Sequence, residues 1–129
     1  MIRVSLTSPV PLHDQLVGEL RRLLATEELA TGDELPPVRQ LANDLGINLN
    51  TVARAYRELT DAGLLASARG RGTVVIATVQ RQSGSAKQEK QRIEQTFAAA
   101  LTDAKLAGFS EDETRTWLDR HIQRLWKST

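Results

Sequence analysis

Amide, hydroxyl and guanidinium side chains cluster in one short run of the sequence, GINLNTVARAYR, over residues 46–57. Gly46 suits the end of one helix, and Asn48 suits the N-cap of the next. A helix N-terminus concentrates unpaired N–H groups and positive dipole, so it favours an anion such as phosphate. Asn50 has the donor and acceptor pair that can grip adenine, while Thr51 can contact a base or a thymine methyl. This order of residue types predicts a helix that reads bases in the major groove of DNA.

Arginines supply positive charge beside that helix start. Arg54 and Arg57 lie four and seven residues after Asn50, and they share its outward face, from which they can reach phosphate or guanine. Arg39 begins the preceding short helix, where that helix would cross the DNA backbone. The alternative for Arg54 and Arg57 is an ordinary solvated helix face, because two acidic residues follow on the same helix.

A glycine-rich turn adds two more arginines. Its sequence, Arg69-Gly70-Arg71-Gly72, can bring backbone close to a narrow groove because glycine has no Cβ atom. Taken alone, such a turn only shapes a hairpin, and Asn48 taken alone is only a cap. The order in which these elements follow one another favours DNA. The predicted DNA contacts are Arg39, Asn48, Asn50, Thr51, Arg54, Arg57, Arg69, Gly70 and Arg71.

Hydrophobic periodicity indicates the elements that position these side chains. Apolar residues recur at helical spacing over residues 11–28, a second short helix ends at Gly46, and a third helix covers residues 48–63. Residues 64–67 and 73–76 are predicted to be strands that flank the arginine turn. Three helices followed by a β-hairpin is the order of a winged helix-turn-helix. The predicted fold class is therefore mainly α with a small β-hairpin.

Both ends of the chain add further elements. Ile2 alternates with the next two apolar residues, which predicts a short N-terminal strand. The polar, Gly/Ser-containing stretch 79–87 predicts a linker between a DNA-binding domain, residues 1–78, and a helical region, residues 88–129.

The helical region is predicted to be an antiparallel two-helix hairpin that dimerises the protein. Apolar residues follow the helix period up to Gly108, and Ser110-Glu111-Asp112-Glu113 matches a capping box at the start of the last helix. Two helices have no third layer to close their core, so a second copy is expected to cover them. The predicted dimer interface consists of Phe97, Leu101, Trp117, Ile122, Leu125 and Trp126.

Composition limits the classes of function. The 129 residues include no cysteine, which excludes disulfides, thiol nucleophiles and thiolate metal sites. No catalytic or metal-binding motif is present, and His13 and His121 are isolated, so we predict neither an enzyme nor a bound cofactor. There is no signal-peptide pattern and no apolar run near the ~18 residues of a membrane span, which predicts a cytoplasmic protein without a membrane partner. Because the net charge is only +1, DNA binding must depend on local placement of charge.

The stretch from Pro11 to Val75 resembles the N-terminal domain of GntR-type bacterial transcription regulators, through PLHDQLVGELRRLL, GDELPPVRQLANDLGI, NTVARAYRELTDAGLL and RGRGTVV. The short tail is similar to that of the YtrA-like branch, in which such a tail dimerises the protein and no larger effector-binding domain follows. The resemblance implies DNA contacts at Arg39, Asn50, Thr51 and the wing near Gly70. It further implies a homodimeric transcription regulator, expected to be a repressor on an inverted-repeat operator, and leaves an unidentified small-molecule effector open.

Three positions depart from the family pattern. Pro37 stands where the family often has a serine that caps the second helix, and Leu49 and Ala53 stand where several members carry contacting arginines. The base code of those relatives therefore cannot be transferred, and Arg54 or Arg57 is expected to take over part of it. The alternative function is a winged helix that binds only protein, which the near-neutral net charge would suit.

Overall fold

A computed structural model describes residues 2–79 and 86–126 of the chain. The chain divides into two compact units with the boundary after Val79, and each unit is described by itself. Most of the predicted linker, residues 80–85, lies outside the described residues. Ala86 and Lys87, which the prediction placed at the end of the linker, already belong to a helix.

Three helices form the body of the first unit: α1 (Leu12–Ala25), α2 (Val38–Leu45) and α3 (Leu49–Asp61). Each buries apolar side chains spaced three or four residues apart, so the three stripes meet in one core. The chain reverses after α1 at Glu27, which has a positive φ of 60°, and this reversal buries Leu29 against the core. The largest fully buried side chains are Leu16, Leu20, Leu23, Leu59, Leu65, Val52 and Val75.

A short turn joins α2 to α3. Gly46 has a φ of 69°, in the left-handed region that side chains with a Cβ atom rarely adopt. The N–H of Ile47 donates to the carbonyl of Ala42 at 3.1 Å, which closes the end of α2. Asn48 then caps α3, because its Oδ1 accepts the N–H of Asn50 at 2.7 Å. The predicted helix-turn-helix and its cap are confirmed.

The wing is a hairpin of two antiparallel strands, β1 (Leu65–Ala68) and β2 (Gly72–Val75), each shifted by one residue from its prediction toward the turn. The connection between α1 and α2 lies along the outer edge of β2. There Glu34 forms an isolated bridge with Val74, and the N–H of Leu35 donates to the β2 backbone at 2.9 Å. The wing is therefore tied by backbone hydrogen bonds to the segment that leads into α2.

The predicted N-terminal strand is wrong. Residues 2–5 have no regular structure, and a side chain takes the place of a neighbouring strand. The N–H of Ser5 donates to Oε1 of Gln15 at 2.7 Å, and Nε2 of Gln15 donates back to the Ser5 carbonyl at 3.0 Å. Ile2 and Val4 pack against the core. The alternation in the sequence reflects this one-sided packing of an irregular segment.

The second unit contains α4 (Ala86–Leu106) and α5 (Glu111–Trp126). Gly108, with a φ of 90°, turns the chain between them. The predicted capping box is confirmed: Ser110 Oγ accepts the N–H of Glu113, and Glu113 Oε1 accepts the N–H of Ser110, both at 3.1 Å. The predicted fold class, a mainly helical winged helix-turn-helix followed by two C-terminal helices, is confirmed. In the described part of the chain, no helix combines the length and apolar character that crossing a membrane requires.

Candidate nucleic-acid interface

Helix α3 divides its side chains between the core and an outward face. Asn50, Arg54 and Arg57 are exposed, and their spacing of four and three residues places them in one row along the helix. Within residues 2–79 and 86–126, none of these three side chains has a hydrogen-bond or ion-pair partner. The row is therefore available to a ligand. The opposite, buried stripe consists of Val52, Ala55, Tyr56 and Leu59.

The first turn of α3 assigns different tasks to neighbouring residues. Asn48 serves the helix itself, since its side chain accepts the N–H of Asn50 at 2.7 Å and its carbonyl accepts the N–H of Thr51 at 3.1 Å. The side chain of Thr51 is half-buried. Leu49 is 38% exposed although it is apolar. The sequence analysis did not include Leu49 in the site, and its signal was an apolar residue outside the inward stripe at a helix start.

The N-terminus of α2 is open. Its N-cap is Pro37, which makes no side-chain cap hydrogen bond, so the first N–H groups of this helix have no capping partner from a side chain. Arg39, one turn of chain inside, is exposed and has no side-chain partner among the described residues. Unpaired N–H groups beside a free guanidinium are suited to a phosphate group.

Tyr56 fixes the two helices of the motif relative to each other. It is buried on α3, and its hydroxyl donates to the carbonyl of Pro36 at 2.6 Å, directly before α2. Burial raises the pKa of Tyr56 to about 12. The start of α2 and the exposed row of α3 are thereby held in one arrangement.

The two wing arginines differ in their surroundings. Arg69 is exposed and has no side-chain partner within the described residues. Arg71 donates from Nε to Oε1 of Glu34 at 3.0 Å and from Nη2 to the carbonyl of Gly32 at 2.7 Å. Gly70, between them, has a φ of 78°, so a residue with a side chain would be strained there. The turn thus presents one free arginine and one that is already oriented.

Acidic side chains near the motif are mostly engaged elsewhere. Glu58, on α3, lies 3.1 Å from Nε2 of His13 on α1. Glu19 and Glu28 both pair with Arg22, and the hydrogen bond from Glu19 is the largest cause that raises the pKa of Arg22. In the described part of the first unit, the arginine side chains without a partner are Arg3, Arg21, Arg39, Arg54, Arg57 and Arg69. The predicted contact residues are the main members of this unpaired set.

The helices of the second unit bury none of their described residues within a single chain. Phe97 is 53% exposed and Trp126 73% exposed. Trp117 is half-buried, because its ring packs edge-on against Phe109 with the ring centroids 4.9 Å apart. A cleft of about 480 Å³ between α4 and α5 is lined by Leu101, Lys105, Phe109, Glu111, Thr114, Arg115 and Leu118. Of the other predicted interface residues, Leu101 and Ile122 are exposed and Leu125 is half-buried.

Metal chemistry finds no support in the part of the chain that the structure describes, where no group of three or more His, Asp or Glu side chains is placed to hold an ion. A winged helix-turn-helix with a free polar row at the start of its third helix and unpaired arginines around it defines a DNA-binding transcription regulator.

Comparison with known proteins identifies the family. Residues 12–75 match the family described as "Bacterial regulatory proteins, gntR family". The chain is 30% identical to the HTH-type transcriptional repressor YtrA of Bacillus subtilis (strain 168), over 92% of this chain and 89% of that protein. It is 37% identical to the HTH-type transcriptional regulator Rv1152 of Mycobacterium tuberculosis, over 78% of this chain and 84% of that protein.

A solved structure agrees with these relatives. YtrA from Sulfolobus acidocaldarius, a GntR-family transcription factor, is 33% identical, with a TM-score of 0.58 over 75% of this chain and 97% of that one. The chain belongs to the GntR family of bacterial transcription regulators, in its YtrA branch. The resemblance that the sequence motifs indicated is confirmed.

Proposed function

We propose that the protein is a homodimeric transcriptional repressor that binds an inverted-repeat operator and occludes a promoter. The observation that carries the proposal is the row formed by Asn50, Arg54 and Arg57, which is exposed at a helix N-terminus and has no partner within the described residues. Such a helix start fits the major groove, where side chains of its first turn meet base edges. The similar protein of Bacillus subtilis is named a repressor, which supports this direction of regulation.

Each side chain of the interface has a chemical role in this proposal. Asn50 grips an adenine in bidentate fashion, and Thr51 and Leu49 contact a base or a thymine methyl. Arg54 and Arg57 reach guanine or phosphate from the same face. Asn48 contributes by capping α3, and its remaining amide N–H groups face the groove with the first turn.

Phosphate contacts flank the base contacts. Arg39 and the open N-terminus of α2 hold the backbone on one side. Arg69, Arg71 and the backbone at Gly70 hold it at the wing. These contacts fix the register of α3 on the duplex, whereas the base contacts select the sequence.

The second unit supplies the dimer. Residues 88–129 are proposed to dimerise, residues 1–78 to bind DNA, and residues 79–87 to link the two. Support comes from α4 and α5, which leave Phe97, Ile122 and Trp126 exposed in a single chain. Two helices cannot enclose a core by themselves, and a second copy would cover these side chains together with Trp117 and Leu125.

A two-fold dimer determines the form of the operator. It presents two copies of α3, so the half-sites form an inverted repeat whose centres lie about 10 base pairs apart or a multiple of that. As a DNA-binding protein without a proposed catalytic role, it acts in the cytoplasm on chromosomal DNA. A small-molecule effector, if one exists, is not assigned to a site here.

The test is a selection of genomic fragments by the purified full-length protein, followed by footprinting. We expect recovered fragments to share an inverted repeat that the protein protects on both half-sites. Light scattering on the same sample should give the mass of two chains. Recovery of fragments without a shared sequence would contradict the operator proposal, and a monomer at micromolar concentration would contradict the dimer.

A further inference from the structure

Arg71 of the wing is held by two acceptors that come from a distant part of the sequence. Its Nε donates to Oε1 of Glu34 at 3.0 Å, and its Nη2 donates to the carbonyl of Gly32 at 2.7 Å. Both acceptors lie in the connection between α1 and α2. The side chains of Arg71 and Glu34 are 50% and 53% exposed, so the pair lies at the surface of the first unit.

The acceptors are themselves fixed by backbone hydrogen bonds. The N–H of Gly32 donates to the carbonyl of Val75 at 2.8 Å, and the N–H of Val75 donates to the carbonyl of Asp33 at 2.9 Å. Glu34 follows at once and forms a bridge with β2. A guanidinium attached to this edge is therefore oriented by the sheet and not by its own flexible stem.

The same contacts leave part of the guanidinium available. An arginine has five N–H donors in one plane, and the two contacts use one donor from Nε and one from Nη2. The donors of Nη1 and the second donor of Nη2 lie along the other edge of the fork. That edge has the bidentate geometry that matches two phosphate oxygens.

We propose that Glu34 is a positioning residue for Arg71, so that an acidic side chain at the DNA surface strengthens DNA binding. The inference rests on the proposed function, in which Arg71 contacts the phosphate backbone. Binding normally requires a long side chain to lose its rotational freedom. Glu34 and the Gly32 carbonyl impose much of that order before DNA arrives, while the charge of Glu34 is offset by its partner.

A simple charge argument predicts the opposite sign. If Glu34 only repelled phosphate, or withdrew Arg71 from it, removal of the carboxylate would tighten binding. Asp44 provides the matched control, because it is an exposed acidic residue on α2 without a side-chain partner in the described chain. Replacing each acid changes the net charge by the same amount, so the difference between the two variants isolates positioning from charge.

The experiment measures the affinity of the full-length protein for an operator recovered by the selection, across a series of salt concentrations. We expect Glu34→Ala to weaken binding roughly twofold to tenfold. Glu34→Gln should weaken it less, because the glutamine carbonyl can still accept the N–H of Arg71. Asp44→Asn should bind as tightly as the unmodified protein, or more tightly.

A double-mutant cycle assigns the effect to Arg71. Arg71→Ala should weaken binding and lower the salt slope by about one unit, the value for one lost phosphate contact. Adding Glu34→Ala to Arg71→Ala should then cause no further loss. Thermal unfolding of every variant, with binding measured well below its midpoint, separates lost positioning from a damaged wing.

Three results would overturn the inference: tighter binding by Glu34→Ala, an unchanged salt slope in Arg71→Ala, or full additivity in the double variant. An unchanged slope with weaker binding would mean that Arg71 only holds the wing to the connection. These results are distinct from failure of the proposed function, in which the unmodified protein would show no preference for the selected operator over random DNA.

Discussion

Alanine substitutions of Asn48 and Asn50 should have opposite effects on stability and on base recognition. Oδ1 of Asn48 accepts the N–H of Asn50 at 2.7 Å, and loss of an N-cap costs about 1 kcal/mol. Asn48→Ala should therefore lower the free energy of unfolding by about that amount. The side chain of Asn50 has no intramolecular partner within the described residues, and alanine is the better helix former. Asn50→Ala should leave the free energy of unfolding unchanged or slightly higher.

The order of the two variants reverses for operator binding. A bidentate contact between Asn50 and adenine is worth about 1–3 kcal/mol of discrimination, and each 1.4 kcal/mol is a tenfold change in affinity. Asn50→Ala should therefore bind the operator roughly 5-fold to 150-fold less tightly, while its affinity for random DNA changes little. Asn48→Ala should lose at most about fivefold, because at most the energy of the cap is available to be lost.

Affinity on three duplexes tests this separation: the selected operator, the operator with the adenine of each half-site replaced, and random DNA. The replacement should weaken binding of the unmodified protein and have no effect on Asn50→Ala. Thermal unfolding of both variants is measured in parallel. Unchanged affinity and base preference in Asn50→Ala would refute the reasoning, since the outward helix end would then be only well capped. A lowered unfolding midpoint in Asn50→Ala would show that its side chain is structural.

Three further predictions concern other parts of the protein. Because burial raises the pKa of Tyr56 from 10.0 to about 12, its stabilisation is complete below pH 10 and is lost as the pH rises toward 12; Tyr56→Phe should abolish this alkaline loss at a cost of about 1 kcal/mol at neutral pH for the hydrogen bond to Pro36, and unfolding curves against pH with tyrosinate absorbance check it, since the chain has one tyrosine. Phe97→Glu should convert the dimer to a monomer in light scattering, whereas Gln95→Glu, exposed on the same helix, should not; a dimeric Phe97→Glu would place the interface elsewhere. Arg39→Ala should weaken operator and random DNA to a similar extent if Arg39 contacts phosphate, and a loss confined to the operator would make it a base contact.

The sequence was sufficient for those elements whose signals are local. The N-cap at Asn48 and the capping box at Ser110 depend on residues two or three positions apart, and both are present in the structure. The turn at Gly46 was equally predictable, because a positive φ favours glycine. The N-terminal strand failed for the complementary reason. Its backbone is satisfied by the side chain of Gln15, ten residues from Ser5, and periodicity cannot show that a side chain replaces a strand.

The candidate site shows the same division. The outward row of α3 follows from helical spacing, and the structure places it on the exposed face. The difference between Arg69 and Arg71 does not follow from any local pattern, because both are arginines beside glycine in one turn. It arises from Glu34, 37 residues before Arg71. Leu49 was missed because an apolar residue is normally assigned to the core, and only its measured exposure of 38% places it at the surface.

The near-neutral net charge was the main support for a winged helix that binds only protein, and the distribution of charge removes that support. Up to Ile76 the sequence has eight arginines and nine acidic residues, of which six acids lie before Leu35. From the start of α3 to the end of β2 there are four arginines and two acids, and one of those acids, Glu58, is paired with His13. Exposed charges act over only about 8–10 Å at physiological salt. A phosphate group at the wing or at α3 therefore meets local arginines, and the acidic residues of α1 have little influence on it.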